Sequence, residues 1–306
     1  MSLARKAVLT VSSNPVVTKL VSKYGMRLGA SRFVAGESMD DTLQTVKSLN
    51  ADNLAVTLDL LGESVRTRDE ALAATAATIE SFETIRREGV NSNISVKLTQ
   101  LGLTIDPDFC LANMDRIAAK AKETGNFVRI DMEDSSRVDA TIDIFTTLLE
   151  KYSKNHIGLV IQSYLYRSEE DVEQMGKLGA NLRIVKGAYK EPKEVAYPDK
   201  QDVDKAYMNL VEKHLKNSCY TAIATHDVAI INWTKQFVKE NHIPSNRFEF
   251  QMLYGICGTL QRELAQDGYK VRIYTPYGKY WYPYFTRRIA ERPANALFVL
   301  RSFFRK

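Results

Sequence analysis

Charged residues interrupt short apolar runs at several points of this 306-residue chain. Lys97 sits in Val96-Lys97-Leu98, Asp131 and Glu133 in Ile130-Asp131-Met132-Glu133, and Arg183 and Lys186 in Arg183-Ile184-Val185-Lys186. His226 follows Thr225 at the end of another such run. A buried charge without a partner is expensive, so such groups pair with one another or with a ligand. For one Lys or Asp alone, a structural ion pair is as good an account as a functional site. For the set together, a binding or catalytic site is the better one. A lysine in such a run could also form a Schiff base with a carbonyl substrate, as in class I aldolases, if its amine were desolvated. Asp131 and Glu133 oppose that chemistry by supplying carboxylates that keep a lysine charged.

The elements that must position these groups follow from the hydrophobic pattern. Apolar, β-branched runs at Leu54–Gly62, Asn93–Thr99, Phe127–Glu133, His156–Tyr164, Asn181–Tyr189, Thr221–His226, Arg247–Leu253 and Lys270–Gly278 predict eight strands. Amphipathic stretches follow them at Thr67–Arg87, Asp108–Thr124, Val138–Lys154, Glu169–Leu178, Asp202–Lys216, Ile230–Glu240, Leu260–Asp267 and about Tyr282–Phe304. Eight βα units in one chain predict a closed (β/α)8 barrel, an α/β fold, with residues 1–306 as a single domain. Residues 1–45 read as a helical segment that covers the open bottom of the barrel or packs on its side. A doubly wound open sheet would favour a Gly-x-Gly-x-x-Gly loop, and the sequence has none. Barrel enzymes build their sites from strand C-terminal ends. Nearly every predicted strand ends in charged or hydrogen-bonding groups, from Glu63 after the first to Tyr274 on the last.

Composition narrows the function classes. Hydrophobic residues make up 44% and charged residues 26%, as in ordinary globular proteins. The net charge of +5 gives no argument for nucleic acid. The three cysteines form no Cys-x-x-Cys, so neither a zinc site nor a disulfide framework is expected, and reduced thiols suit a cytoplasmic protein. No run approaches the roughly 18 apolar residues of a membrane span. No apolar leader core is visible near the N-terminus. The basic stretch Arg292–Lys306, with Phe298, Phe303 and Phe304, could touch an anionic bilayer, although an apolar helix face is usually core. Peripheral contact at the inner face of the membrane is therefore an expectation.

At this point the motifs resemble those of a known family. Arg183-x-x-Lys186-Gly187-Ala188-Tyr189 resembles the flavin-contacting strand of proline dehydrogenases. Tyr274-x-Pro276-x-Gly278, followed by Arg287-Arg288-x-x-Glu291, resembles their last strand and substrate-binding helix. Val96-Lys97-Leu98, Ile130-Asp131, Ile161-Gln162 and Ala224-Thr225-His226 match in the family's order, so the similarity covers about residues 50–300. It includes the barrel domain of bifunctional proline utilisation A proteins.

The resemblance implies a distorted barrel with its last helix over the strand ends, FAD as cofactor, and L-proline as substrate. It also implies Δ1-pyrroline-5-carboxylate as product and a membrane quinone as electron acceptor. Arg287 and Arg288 would clamp the substrate carboxylate, a task suited to the guanidinium fork. Adjacent helical residues point about 100° apart, so a solvated basic face is the plain alternative. Glu291 would orient the arginines, and Glu63 would partner a gate over the substrate. Tyr274 and Leu253 would line the pyrrolidine pocket, though either could be ordinary core. Lys97 would pair with the substrate carboxylate or with Asp131, and Asp131 would organise Lys97 and the substrate amine. Arg183 would face the reducible end of the flavin. Met132, Gln162, Lys186, Gly187, Ala188, Thr225 and His226 would complete the FAD contacts, Gly187 by allowing close backbone approach.

Lys190 departs from the aromatic residue of some bifunctional relatives, and the stretch 190–200 could order differently. The tyrosine-rich run Tyr277–Tyr284 has no account at the level of sequence. A non-catalytic flavin- or metabolite-binding barrel and an aldolase remain as readings from other classes. Oligomeric state, the preferred quinone and selectivity between proline and hydroxyproline are not legible.

Overall fold

A computed structural model describes residues 25–26, 29–62 and 64–291. Eight parallel strands close into one barrel in sequence order. They are β1 (Ala55–Leu60), β2 (Ser92–Lys97), β3 (Val128–Asp131), β4 (Ile157–Gln162), β5 (Leu182–Val185), β6 (Thr221–Ala224), β7 (Phe248–Leu253) and β8 (Val271–Tyr277). The ring is completed by β8 pairing with β1, with Thr57 opposite Tyr274. All eight predicted strands are present. The fifth is the most over-extended expectation, stopping at Val185 rather than Tyr189 because Gly187 turns the chain at φ +118°.

The helices are α1 (Met39–Ala51), α2 (Arg68–Glu88), α3 (Pro107–Glu123), α4 (Val138–Tyr152), α5 (Ser168–Lys177), α6 (Lys200–Lys216), α7 (Val228–Glu240), α8 (Gly258–Gln266) and α9 (Tyr282–Glu291). Their starts are coded locally. Thr67 and Glu70 form a reciprocal capping box at α2, and Asp106 caps α3 just ahead of Pro107. Each cap satisfies backbone N–H groups that the first helical turn leaves open.

The N-terminal expectation needs correcting. A boundary at residue 45 falls inside α1, and residues 33–38 are not helical. Of the two placements expected for this segment, the described part takes the barrel's side rather than its bottom. Ala35 N–H donates to Pro276 O, and Gly36 O accepts from Gly278 N–H, which seats residues 35–36 at the C-terminal end of β8. From there α1 descends on the barrel's side. Lys47 pairs with Glu88 of α2, and Asp52, just past α1, pairs with Arg262 of α8. It thereby fills the flank between α8 and α2, the place a last barrel helix would take. That leaves α9 for the strand ends, where the resemblance implied it.

The strands alternate by face. Val56, Leu58, Ile94, Val96, Val128, Ile130, Ile184, Phe250 and Ile273 belong to one buried apolar core. Each large apolar side chain so buried contributes about 1.5–3 kcal/mol. The intervening residues Asp59, Lys97, Asp131, Arg183, Glu249, Gln251, Arg272 and Tyr274 bond to one another inside the barrel, and Arg129 shares their face. Branched aliphatic layers normally fill such a barrel. Much of this one is filled by charge.

A buried histidine sets a pH limit on the fold. His214 of α6 has no solvent exposure and its Nδ1 lies 2.8 Å from Thr221 Oγ1. Burial pulls its pKa down from 6.5 to about 3. The unfolded chain therefore binds more protons between those values. The stability His214 contributes is present above pH 6.5 and is lost as pH falls toward 3, by at most about 1.4 kcal/mol per pH unit. Urea unfolding at pH 7.5 and 5.5 should show this slope in the native protein and a shallower one in His214→Gln. Equal slopes would exclude His214 as the source.

Candidate active site

The charged centre lies inside the barrel, where Asp59, Lys97 and Asp131 near the C-terminal ends of β1, β2 and β3 meet Arg183 of β5 and Tyr274 of β8. Lys97 and Asp131 are register neighbours across β2 and β3. Lys97 Nζ lies 3.0 and 3.1 Å from the two carboxylate oxygens of Asp59, and 3.5 Å from Asp131 Oδ2. The expected Lys97–Asp131 pair is present, and Asp59 joins it at shorter distance. Asp131 belongs more to Arg183 and Tyr274. Its Oδ1 accepts from Arg183 Nη1 at 2.8 Å, and its Oδ2 from Tyr274 OH at 2.6 Å. Arg183 also donates from Nε to Gln251 Oε1 at 2.6 Å and from Nη2 to Ser95 Oγ at 3.0 Å.

Two cations and two carboxylates therefore share one buried centre with no net charge. Burial raises the Asp59 pKa above its ordinary value, against the pull of Lys97. Burial, with Asp131 and Asp59 nearby, holds the Tyr274 hydroxyl well above its usual range, so it stays a donor. The Schiff-base reading weakens here, because Lys97 is held between carboxylates rather than in an apolar pocket.

Asp59 was missed at the level of sequence. The signal was an acid in the otherwise apolar run Thr57-Leu58-Asp59-Leu60-Leu61. Ser95 and Gln251, which hold Arg183, carry no charge, so nothing in the sequence marks either as its partner.

The remaining expected residues fall around this centre. Gln162 ends β4, and its Nε2 donates to Met132 O and Glu133 O, both at 2.9 Å. Its Oε1 is buried without a hydrogen-bond partner. Glu133 is itself fixed by the Thr99 backbone N–H and hydroxyl. At Gly187 a Cβ would lie 2.5 Å from the Tyr164 ring, so no larger residue fits without a shift. Ala188 is exposed just beyond it. Lys186 Nζ is paired with Asp204 at 2.5 Å and Asp227 at 2.9 Å, and its hydrogen bond holds the Asp227 carboxyl down to about 2. Thr225 Oγ1 accepts from Asp227 N–H, and His226 Nε2 accepts from Leu253 N–H at 2.9 Å. Leu253 and His226 thus brace one another. The stretch after Lys190 is tied down by Glu191, which accepts from the Ser135 N–H and hydroxyl, and by an antiparallel bridge between Leu165 and Ala196.

The tyrosine-rich run now has a physical account. Tyr277 OH bonds Ser81 of α2, and Trp281 Nε1 donates to Glu37. Trp281, Tyr284 and Phe285 pack with Phe33, Leu61 and Ile256 in a second apolar cluster. This cluster holds α9 at the strand ends, with Arg287 and Arg288 half-buried on it. The Arg288 guanidinium lies 5.3 Å from the centre of the Tyr284 ring. Glu63, the Glu291 side chain and residues 292–306 lie outside the described residues.

Fold and site together define a (β/α)8-barrel enzyme with a charge-balanced centre at the strand C-terminal ends. Comparison with known proteins narrows the class. A proline dehydrogenase family profile matches residues 42–301. Proline dehydrogenase 1 of Bacillus subtilis is 45% identical over 304 residues, covering 99% of this chain and all of that one. The proline dehydrogenase of Deinococcus radiodurans is 48% identical over 302 residues, covering 98% and 97%. Among solved structures, proline utilization A of Bdellovibrio bacteriovorus, inactivated by N-propargylglycine, superposes with a TM-score of 0.83 at 27% identity. It is matched over 90% of this chain and 34% of that larger one. The chain belongs to the proline dehydrogenase family.

Proposed function

We propose that this chain is an FAD-dependent enzyme that oxidises L-proline to Δ1-pyrroline-5-carboxylate and passes the electrons to a quinone. The observation that carries the reading is the neutral Asp59–Lys97–Asp131–Arg183 centre under a helix bearing Arg287 and Arg288. Such a centre has no net charge to repel a zwitterionic amino acid. The two arginines supply the positive charge for its carboxylate.

FAD is tested by the polar atoms around the rim, and they fit it. The unpartnered Gln162 Oε1 can accept from an N–H donor, and a flavin ring edge has one. Gln162, Met132, Gly187, Ala188, Thr225 and His226 would hold the cofactor, with Lys186 and Arg183 as cations beside it. When bound, FAD supplies the hydride acceptor. The chain's own residues bind, orient and exclude water. Arg287 and Arg288 fix the carboxylate, while Tyr274 and Leu253 shape the pocket for the ring. Asp131 and Lys97 would set the charge beside the amine; once the zwitterion's ammonium has given one proton to water, hydride can leave C5 as the protonated imine forms, and its N–H proton is then lost to solvent. Residues 1–306 would form one catalytic unit. The basic stretch 292–306, the expected membrane contact, lies outside the described residues. No described helix is long and apolar enough to cross a membrane.

The purified protein should be yellow and should bleach on anaerobic addition of L-proline. A colourless protein, or a yellow one that proline cannot bleach, would sink this reading. Arg287→Ala and Arg288→Ala should each raise the KM for proline about 10- to 150-fold, the worth of a charge-assisted hydrogen bond. An unchanged KM in both would return the pair to a solvated basic face.

A further inference from the structure

The opposite mouth of the barrel carries charge that the rim chemistry does not use. A cavity of about 420 Å3 opens at the N-terminal ends of the strands. Arg129, Lys154, Arg247, Lys270 and Arg272 line it, against a single carboxylate, Glu249. That carboxylate is already engaged, by Arg272 at 2.8 Å, Lys270 at 3.0 Å and Tyr220 OH at 2.9 Å. Burial pushes the Glu249 carboxyl up, but Arg272 and Lys270 overcome this and hold it well below its usual range.

Arg129 is the group without an explanation. It is 2% exposed, and its guanidinium donates only to neutral oxygens, those of Leu159 O, Asn181 O and Asn181 Oδ1. Its Nε is buried with no partner, as is that of Arg247. Burial, then the charge of Arg183, pulls the Arg129 pKa down to about 9. Among the described residues, neither Arg129, Arg247 nor Lys154 has an ion pair. The terminal stretches cannot supply side-chain carboxylates either, because residues 1–28 and 292–306 contain no aspartate or glutamate. A buried arginine whose nearby carboxylate, Glu249, is already held by Arg272 and Lys270 is costly, and an anion held by guanidinium forks lowers that cost.

We infer that this mouth is a second binding site, for a multivalent phosphate-class anion. Its volume falls within the ordinary range for small ligands, about 300–1,000 Å3. Four uncompensated positive charges favour a multivalent anion over chloride or acetate. The inference stands apart from the reading of the rim, since none of these residues is assigned to proline or FAD.

Calorimetry on the full-length, flavin-loaded protein at fixed ionic strength tests it, with inorganic pyrophosphate and ADP as probes. Saturable binding of either is expected, with at least tenfold weaker binding in the Lys154→Gln/Arg247→Gln double variant and proline turnover retained. Tighter binding of pyrophosphate would identify a free phosphate-class ion as the fit, and tighter binding of ADP the phosphates of a nucleotide. Absence of saturable binding by both would overturn the site. So would binding that the double variant leaves unchanged, because the anion would then sit elsewhere.

Discussion

Asp131→Ala should lower stability by about 3–5 kcal/mol and cut proline turnover about a hundredfold or more. The first figure is the usual cost of removing one partner from a buried ion pair. Here the carboxylate serves three donors at once, Arg183 at 2.8 Å, Tyr274 at 2.6 Å and Lys97 at 3.5 Å. Removing it leaves two cations facing Asp59 alone, so the centre changes from neutral to +1. The second figure follows from losing the charge that orients Lys97 and Tyr274 around the substrate. A hundredfold loss corresponds to about 2.7 kcal/mol of transition-state stabilisation. Urea unfolding separates the two effects from steady-state kinetics. Asp131→Asn keeps the shape but not the charge, and should recover stability more than turnover. Unchanged turnover and proline KM in the alanine variant would remove Asp131 from the site.

The barrel was legible because each strand carries its own periodicity and each helix its own start signal. The polar interior was legible in principle too. Val128-Arg129-Ile130-Asp131, Phe248-Glu249-Phe250-Gln251 and Val271-Arg272-Ile273-Tyr274 alternate strictly, apolar with polar. In an antiparallel sheet that pattern would mean one face in water. In a closed parallel barrel both faces are covered, so the polar set must satisfy itself inside. What no single strand could reveal is which groups meet. Lys97 pairs more closely with Asp59 than with its own register neighbour Asp131, although Asp59 lies opposite Ser95; which side chains meet across the barrel is a tertiary property. The place of α1 was equally hidden. Nothing in Met39–Ala51 says that it fills the flank between α8 and α2, yet that placement is what leaves α9 to the strand ends.

The same chain of contacts connects the two ends of the barrel. Arg272 binds Glu249, Glu249 accepts from Gln251, and Gln251 accepts from Arg183, which binds Asp131. Gln251 is the neutral link that passes one donor and one acceptor between the two charged groups. It holds the Arg183 guanidinium from the side opposite Asp131, so the arginine has little freedom to turn.

Arg183→Met should therefore be the most damaging change to turnover, with a loss of about a hundred- to a thousandfold, the range seen when one preorganised donor is removed from a reacting site. Methionine has a similar volume and should limit the packing loss. It removes the positive charge that balances Asp131, so the centre falls to −1 with Lys97 as its one remaining cation. Asp59 is already raised by burial and by Asp131. With less positive charge nearby, the Asp59–Asp131 pair should take up a proton at a higher pH than in the native protein. A carboxylate whose pKa rises loses its charge as pH falls through the new value, so the acidic limb of kcat/KM should move to higher pH. Arg183→Lys restores the charge but not the fork that reaches Asp131, Gln251 and Ser95 together. It should return the acidic limb toward its native position while leaving turnover low. If Arg183→Met shows native turnover, or a lowered turnover with no movement of the acidic limb, Arg183 is neither a donor to the reacting site nor the balancing charge of its carboxylates.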